Sequence, residues 1–514
     1  MSQIIVTNLS FSYDSCYDPI FEHVSFSFET DWKLGMIGRN GKGKTTFMNL
    51  LLGKYEYEGS IVSSVKFEYF PFTISEQQMK NSTLDVIEQF NPEYELWKIL
   101  IELKKLQADE AILYQTFDTL SFGEQTKIML AVLFTKENSF LLIDEPTNHL
   151  DQYTREVLWD YLHDKHGFLL VSHDRWLLDE CVDHMLVLNR QDIQIEKGNF
   201  HTWWENKQRR DHFEQQENIK YRKEIKKLEA SARQSQRWAQ KCESTKIGFH
   251  PNQEHDRFID TRAYIGEKSR RMQSRKKNIL RRKEEAIEEK SKLLRNIETV
   301  VDLKLYPLEH YRETYIRAKN LSLSYSNRQI IDGIDFEIKK GEVVQLFGKN
   351  GSGKSSIINA ILAHENVDVL NDSWEQNRSS SMNLEGELDI AKGLKVSYIS
   401  QDTSLLTGTL DDYIERNHLD ATLIRGILRQ LDFERIQFEK DMSVYSQGQK
   451  KKVLIASSLA TKAHLYIWDE PLNYVDVFSR MQIESLIRRY HLTMVFVEHD
   501  KSFAKTVGSK VISL

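Results

Sequence analysis

The sequence is poor in cysteine and in long apolar segments, and both shortages restrict the classes of protein it can belong to. Its 514 residues include three cysteines, Cys16, Cys181 and Cys242, which are far apart and lack metal-ligand spacing. Neither a disulfide framework nor a zinc site is therefore implied. No run of about 18 apolar residues occurs, and the N-terminus lacks a basic stretch followed by an apolar one. We expect a cytoplasmic protein that does not span a membrane.

Charge is distributed unevenly along the chain. The composition, 40% hydrophobic and 28% charged, is that of a globular protein, and the length suggests two to four domains. Residues 201–300 hold 26 Lys and Arg against 16 Asp and Glu, so they carry +10 within a total of −6, and the remainder carries −16. A basic segment between acidic flanks indicates either contact with a polyanion or a solvated helical face.

Two halves of the chain repeat the same landmarks in the same order. GRNGKGKTT matches GKNGSGKSS, LSFGEQTKIMLA matches YSQGQKKKVLIA, FLLIDEP matches LYIWDEP, and VSHD matches VEHD. Each half alternates short apolar or β-branched runs with helical stretches, which is typical of a parallel sheet flanked by helices. The sequence therefore predicts a duplicated α/β fold.

A different pattern separates the two halves. Apolar residues recur at near-heptad spacing in two groups, namely Tyr221, Ile225, Leu228, Ala232 and Ala239, and then Met272, Ile279, Ala286, Leu293 and Ile297. This spacing predicts two long helices, interrupted at 247–266 by two glycines and a proline. The helices form either a projecting antiparallel hairpin with 247–266 at its tip, or an amphipathic bundle packed on one half. We expect domains at 1–202 and 302–514, joined by a helical linker at 203–301.

Each half contains a P-loop pattern between a strand-like run and a helix-like one. Glycines let the backbone wrap phosphates, the lysine reaches the β and γ oxygens, and the next hydroxyl ligates Mg²⁺. The predicted nucleotide-binding residues are Gly38, Asn40, Gly41, Gly43, Lys44, Thr45 and Thr46, and Gly348, Asn350, Gly351, Gly353, Lys354, Ser355 and Ser356. The sequence therefore predicts two ATP sites, with Thr45 and Ser355 as ligands of Mg²⁺.

Acidic pairs end the runs FLLI and LYIW, which we interpret as buried parallel strands. Carboxylates at the C-terminal ends of such strands lie where nucleotide binds. Asp144 and Asp469 are predicted to ligate Mg²⁺, and Glu145 and Glu470 to polarise the attacking water as general bases.

Two further pairs of residues recur at matching places in the halves. His173 and His499 follow apolar runs and are predicted to hydrogen-bond the γ-phosphate and hold the attacking water. Tyr13 and Tyr325 precede the P-loops. Each tyrosine either stacks on adenine or is an ordinary core residue.

The segments LSFGEQ and YSQGQK, at 120–125 and 445–450, resemble the signature motif of the ABC ATPase superfamily. The resemblance implies head-to-tail pairing, in which the P-loop of one cassette and the signature of the other enclose one ATP. Facing the nucleotides would be Ser121, Gly123 and Glu124, and Ser446, Gly448 and Gln449. NHLD at 148–151 and NYVD at 473–476 resemble the D loops that cross this interface.

The two halves depart from the family pattern in different ways. Gln401 fits the glutamine of the Q loop, which serves Mg²⁺ and nucleotide, but Phe72 occupies the matching place in the first half. Phenylalanine can neither ligate Mg²⁺ nor orient water, so we expect a slower or differently organised first site. Both signatures also lack the paired glycines, because Phe122 and Gln447 replace the first of them.

Two cassettes joined by a helical linker of about a hundred residues resemble the ABC-F family over essentially the full length. The resemblance implies ATP-dependent binding of a monomer to the E site of the bacterial 70S ribosome. The linker would then approach rRNA, the P-site tRNA and the peptidyl-transferase centre, which fits its basic charge. Linker length and the short insertion between Phe72 and Leu120 most resemble the Vga/Lsa/Vml-type antibiotic-resistance proteins.

That likeness implies protection against lincosamides, pleuromutilins and streptogramin A compounds, through a linker tip that includes Phe249, His250, Phe258 and Tyr264. Aromatic side chains at a tip either stack on unpaired bases or pack on one another. Three other functions stay open: a housekeeping factor that rescues stalled ribosomes, the ATPase of an exporter with a separate membrane partner, and a DNA-repair or chromosomal ATPase.

Overall fold

The computed structural model describes residues 2–13, 19–148, 150–188, 193–247, 305–325, 328–370, 382–404 and 406–514, with five positions between 270 and 282. Contacts divide the chain into two units, one comprising Met1–Trp203 with Val301–Leu514 and the other Trp204–Val300. Both cassettes thus belong to one unit. The division into domains at 1–202, 203–301 and 302–514 remains a prediction.

The first cassette alternates strands and helices, as its sequence predicts. Its strands are β1 (Gln3–Phe11), β2 (Phe21–Glu29), β3 (Lys33–Gly38), β4 (Glu58–Val62), β5 (Lys66–Phe70), β6 (Ser139–Asp144), β7 (Phe168–Val171), β8 (His184–Leu188) and β9 (Ile193–Lys197). Its helices are α1 (Lys44–Leu51), α2 (Glu76–Met79), α3 (Thr83–Phe90), α4 (Leu96–Lys105), α5 (Phe122–Phe134), α6 (Gln152–His163) and α7 (Arg175–Cys181). The linker helix α8 spans Phe200–Ile247.

The second cassette has a similar order of strands and helices. Its strands are β10 (Thr314–Tyr325), β11 (Arg328–Lys339), β12 (Val343–Phe347), β13 (Val367–Val369), β14 (Met382–Ile390), β15 (Leu394–Ile399), β16 (Leu465–Asp469), β17 (Met494–Val497) and β18 (Lys510–Ser513). Its helices are α9 (Lys354–Leu362), α10 (Leu410–Arg416), α11 (Ala421–Gln430), α12 (Gln447–Ala460), α13 (Val477–Tyr490) and α14 (Lys501–Val507).

Each cassette combines a small antiparallel sheet with a larger, mainly parallel one. The antiparallel sheets have the orders β2-β1-β4 and β11-β10-β14, and the six-stranded sheets β5-β6-β7-β3-β8-β9 and β13-β15-β16-β17-β12-β18. In the larger sheets β9 alone of the described strands runs antiparallel to its neighbour. The P-loop strands β3 and β12 lie beside β7 and β17, so the motifs that follow these strands meet at one sheet edge. This confirms the predicted duplicated α/β class.

The strands that carry the motifs are buried on both faces. In β16 the residues from Leu465 to Asp469 are all buried, and in β6 the apolar residues Phe140–Ile143 are less than 3% exposed. Helices on each side of the sheet exclude water from these apolar runs, as expected for parallel strands. The catalytic motifs therefore begin from rigid positions.

Helix α8 contains the first of the two predicted linker helices. Its partly buried residues include Tyr221, Ile225 and Leu228, which follow the predicted 4,3 spacing. The second helix is described at five positions only, and the proposed tip at 247–266 lies outside the described residues apart from Ile247. None of the helices in the described part of the chain has the length and apolar character needed to span a bilayer.

A buried arginine ties the D loop of the second cassette to the segment after β17. Arg480 donates from Nη1 to Asp500 at 2.8 Å, from Nε to the carbonyl oxygen of Val475 at 2.9 Å, and from Nη2 to that of Leu472 at 2.9 Å. Arg155 plays the matching part in the first cassette, where it contacts the carbonyl of Leu150. Every donor position used here satisfies a buried acceptor, which offsets the desolvation of the guanidinium.

We predict that Arg480→Ala lowers the free energy of unfolding of the second cassette by roughly 3–5 kcal/mol, because it leaves the buried carboxylate of Asp500 unpaired. Urea denaturation followed by tryptophan fluorescence measures the shift. Arg317→Ala is the control: it removes a half-exposed pair with Glu337, for which at most about 1 kcal/mol is expected. Equal shifts for both variants would contradict the stabilising role of the buried pair.

Candidate functional site

Both P-loops form tight turns that end at the first residue of a helix. Gly43 and Gly353 precede α1 and α9 with φ of 95° and 98°, in the left-handed region. A Cβ at Gly43 would lie 2.6 Å from Ile20, so a side chain is excluded there by space as well as by backbone angle. The turns direct the N-terminal amide groups of α1 and α9 into the loops, which makes each loop a site for phosphate.

The P-loop lysines lie inside their loops. Lys44 donates to the carbonyl of Gly38 at 2.7 Å and to Asn40 at 3.1 Å, and Lys354 donates to the carbonyl of Gly348 at 2.9 Å. Burial lowers the pKa of Lys44 and of Lys354 despite the neighbouring carboxylates. The two ammonium groups are thus held by carbonyl groups at the place where phosphate oxygens would bind.

The predicted Mg²⁺ ligands are adjacent in both cassettes. Ser355 donates to Oδ2 of Asp469 at 3.0 Å, and Thr45 is hydrogen-bonded to Asp144. In the first cassette the hydroxyl of Tyr69 also donates to Asp144, at 2.9 Å. Each pair combines a hydroxyl and a carboxylate, the oxygen ligands that Mg²⁺ prefers.

In the second cassette, three polar groups surround the predicted base Glu470. The amide of Gln401 donates to Oε2 at 2.7 Å, that of Asn473 donates to the same oxygen at 3.0 Å, and Nε2 of His499 lies 3.7 Å from Oε1. Burial opposes ionisation, but His499 and the ammonium groups of two buried lysines outweigh it and lower the pKa of Glu470. The carboxylate is therefore ionised and oriented at neutral pH.

The first cassette holds its predicted base differently. Oε2 of Glu145 accepts the backbone N–H of His173 at 3.3 Å. Its other oxygen is buried, lies 3.4 Å from Nε2 of His173, and accepts no hydrogen bond from the described residues. Burial, with repulsion from Asp144, raises the pKa of Glu145 to about 8. Phe72 replaces the Q-loop glutamine here and stacks on Phe90, with 4.0 Å between ring centroids.

The signature motifs form the N-termini of α5 and α12. Ser121 and Glu124 make a reciprocal capping box, as do Ser446 and Gln449, so these predicted nucleotide-facing residues also cap a helix. Gly123 and Gly448 lie in the first turns of the two helices. The N-terminal turn of α5 lies beside the second P-loop and that of α12 beside the first, where the helix dipole would stabilise an anion.

The cassettes pair head to tail. Asn40 of the first P-loop donates to the carbonyl oxygen of Tyr474, in the second D loop, at 3.1 Å, and Nδ2 of Asn40 lies 3.1 Å from where a Cβ of Gly448 would be. In the other site, Asp151 accepts the backbone N–H of Asn350. His149 lies outside the described residues. Each P-loop thus contacts the opposite D loop, the arrangement that the motifs imply.

The second site encloses a cavity of about 440 Å³. Residues of the second P-loop, Gln401, Glu470 and His499 line it together with Phe122 and Arg155 of the first cassette. Phe122, which replaces a signature glycine, therefore forms part of the wall. The cavity brings together the predicted P-loop, Q-loop, base and histidine residues with the opposite signature helix.

The predicted adenine-stacking tyrosines have unequal surroundings. Tyr13 packs edge-on against Phe11 and Tyr55 and its hydroxyl is 3.0 Å from that of Thr46. Tyr325 ends β10 and is half-buried. These surroundings are compatible with both alternatives for each tyrosine, namely stacking on adenine or packing in the core. The proposed tip residues Phe249, His250, Phe258 and Tyr264 lie outside the described residues.

Several contacts across the interface were not foreseen from the motifs. Arg39 and Lys42, inside the first P-loop, pair with Asp432 and Glu434 of the second cassette. The matching residues at the second site are Lys349, Ser352, Gln107 and Asp109. The unequal charges of these matched positions were visible in the sequence, but the loops that meet could be identified only from the fold.

Comparisons with known proteins agree with this geometry. A family model described as ABC transporter matches residues 21–148 and 331–473. The chain is 26% identical to the ribosome protection protein VmlR of Bacillus subtilis, over 99% of this chain and 86% of that protein. It is 24% identical to the energy-dependent translational throttle protein EttA of Haemophilus influenzae, over 96% of this chain and 88% of that protein.

Among solved structures, the chain resembles the archaeal ribosome recycling factor aABCE1, which was crystallised with the ribosomal stalk protein aP1. The TM-score is 0.61 at 18% identity, and the match covers 98% of this chain and 87% of that one. At this identity the likeness supports the fold of two tandem cassettes and no finer property.

We predict that turnover at the first site depends on pH between about pH 7 and pH 9, whereas turnover at the second site does not. In a Glu470→Gln variant, which retains Glu145, turnover should rise about tenfold between about pH 7 and pH 9, because a base with a pKa near 8 is ionised only at the upper end. In Glu145→Gln, turnover should stay within about twofold, since the pKa of Glu470 is lowered. Steady-state phosphate release at saturating ATP measures both. Parallel pH profiles would contradict the inferred difference between the carboxylates.

Proposed function

Because the chain belongs to the ABC transporter family and is an ATPase of the ABC-F type, we propose that it uses ATP to bind and protect the bacterial ribosome. The antibiotics concerned would be those of the peptidyl-transferase centre: lincosamides, pleuromutilins and streptogramin A compounds. The observation that carries the proposal is full-length similarity to a ribosome protection protein, combined with P-loops that each contact the D loop of the opposite cassette. A ribosomal role would place the protein in the cytoplasm.

The two ATP sites supply the switch. Each ATP lies between a P-loop and the opposite signature helix, so its phosphates add attraction between the cassettes that ADP does not match. Closed cassettes would present the linker to the ribosome as one monomer, at the E site. Hydrolysis by Glu145 and Glu470 would then end the closed state and release the protein.

Mg²⁺ is part of the proposal. Thr45 with Asp144, and Ser355 with Asp469, would hold it, because these oxygen ligands are already hydrogen-bonded to one another. Gln401, which lines the same cavity as Ser355, would join the second set. When bound, Mg²⁺ neutralises charge on the transferred phosphoryl group. His173 and His499 lie beside the bases, where an imidazole would hold the attacking water and the γ-phosphate.

The linker supplies the proposed contact with the ribosome. Residues 201–300 carry a net charge of +10, whereas the remainder of the chain is acidic. Lysine and arginine neutralise phosphate irrespective of base sequence, so this segment fits rRNA and the P-site tRNA, with the tip 247–266 nearest the drug. We propose drug displacement by this tip as its mode of action.

A second function is favoured by a specific observation. EttA, named as a translational throttle protein, matches nearly the whole chain at an identity close to that of VmlR. A housekeeping translation factor would share the ATP sites and the ribosome and would differ in giving no drug resistance. Ribosome binding and resistance therefore need separate tests.

For ribosome binding we predict that a Glu145→Gln/Glu470→Gln variant pellets with bacterial 70S ribosomes through a sucrose cushion in ATP but not in ADP. Glutamine preserves nucleotide binding and removes the base, so ATP holds the cassettes closed. The control adds Lys44→Met and Lys354→Met, which should abolish pelleting in either nucleotide. No pelleting in ATP would refute the ribosomal function and favour the export or DNA alternatives.

For resistance we predict that expressing the full chain in a susceptible bacterium raises the inhibitory concentration of a lincosamide, a pleuromutilin or streptogramin A by at least about fourfold. Replacing residues 247–266 with a short Gly-Ser linker should abolish this increase but retain ATP-dependent pelleting. Full resistance of the variant that lacks residues 247–266 would refute the displacement mechanism. Ribosome binding without any resistance would identify the housekeeping function instead.

A further inference from the structure

The Q loop of the second cassette, residues 400–404, is joined to the signature helix α12 by two side chains. Lys451 is 3% exposed and its Nζ donates to the carbonyl oxygens of Ser400 at 3.2 Å and Gln401 at 3.0 Å. One helical turn earlier, Gln447 accepts the hydroxyl of Thr403 at 2.7 Å. The loop is therefore held from both sides of its glutamine.

The glutamine that this linkage holds reaches the predicted base. The amide of Gln401 donates to Glu470 at 2.7 Å, and it also lines the cavity of the second ATP site. Because a buried ammonium fixes the backbone of Gln401, the direction of its side chain depends on α12. The chain of contacts thus runs from the signature helix, through the Q loop, to the base.

The first cassette has none of the corresponding side chains. Thr126 occupies the position of Lys451, Phe72 that of Gln401, and Ile74 that of Thr403, while Phe122 occupies that of Gln447. Threonine is too short to span from the helix to the loop carbonyls, and phenylalanine and isoleucine offer no hydrogen-bond donor. The four exchanges occur together, as expected if these residues act as one unit.

We propose that Lys451 is a positioning residue for ATP hydrolysis at the second site, acting through Gln401, and that Gln447 and Thr403 support it. The N-terminus of α12, at Ser446 and Gly448, faces the first ATP site, whereas Gln401 faces the second. Movement of α12 upon nucleotide binding at the first site therefore changes the alignment of Gln401 and Glu470 in the second. The matching residues are absent from the first cassette, so this route has no counterpart from α5 to the first Q loop.

Lys451→Met tests the proposal, because methionine keeps the apolar stem and removes the ammonium group. In a Glu145→Gln background, where the second site alone retains its base, kcat should fall at least about tenfold while the Kd for ATP stays within about twofold. In a Glu470→Gln background, kcat at the first site should change less than about twofold. Thr126→Met, at the matched helix position, is the control and should alter neither background.

A double-mutant cycle separates positioning from a purely structural role. If Lys451 acts through Gln401, then adding Lys451→Met to Gln401→Ala should lower kcat no further than Gln401→Ala alone. The proposal would be overturned if the kcat losses of Lys451→Met and Gln401→Ala multiply in the double variant, or if Lys451→Met weakens the Kd for ATP. Equal kcat losses in the Glu145→Gln and Glu470→Gln backgrounds would also overturn it. Single-turnover hydrolysis of radiolabelled ATP gives the same comparison where steady-state turnover of a single-base variant is too slow.

Thr403→Val provides an independent variant if Lys451→Met does not fold. Valine matches the shape of threonine and removes only the hydroxyl that donates to Gln447. We expect a several-fold loss of kcat at the second site, with an unchanged melting temperature. An unchanged kcat would exclude the contribution of Gln447. Ribosomes are absent from all these assays, so their outcome is independent of the proposed protection of the ribosome.

Discussion

The hydrogen bond from Asn40 to the carbonyl oxygen of Tyr474 joins a P-loop to the opposite cassette at 3.1 Å. Around it, ion pairs connect Arg39 with Asp432 and Lys42 with Glu434. This small area is both the interface between cassettes and the wall of the first nucleotide site. A change of charge at the nucleotide would therefore act directly on the interface, which supports the proposed reopening of the cassettes after hydrolysis.

Buried charges hold the other side of the interface. Arg175 follows His173 and forms a bidentate pair with Glu484 on α13 of the second cassette. Glu484 lies one turn beyond Arg480, whose partners are the D-loop carbonyls and Asp500. A pair buried this well is sensitive to misalignment, because separating the partners leaves a charge without solvation. Small displacements of one cassette against the other are therefore costly while this pair stays buried.

Local sequence was enough to locate the P-loops and the acidic pairs. Each depends on neighbours within a few residues, so GKNGSGKSS indicates its geometry without knowledge of the fold. Contacts such as Lys451 with the carbonyl of Gln401 join residues 50 apart. The sequence there offers an unremarkable run of three lysines, and only the fold shows that Lys451 packs on the Q loop whereas Lys452 pairs with Asp476.

The departures from the family pattern acquire a physical meaning when taken together. Gln447 replaces a signature glycine and accepts a hydrogen bond from the Q loop, whereas Phe122 replaces the equivalent glycine and forms a wall of the second site. Glu470 is held by Gln401 and Asn473, but one buried oxygen of Glu145 accepts no hydrogen bond from the described residues. Each ATP site is built from different residues of the two cassettes, so matched positions in the two cassettes have different neighbours and can differ in residue type. The second cassette thereby holds its predicted base with two side-chain amides, whereas the first holds its base with a backbone N–H.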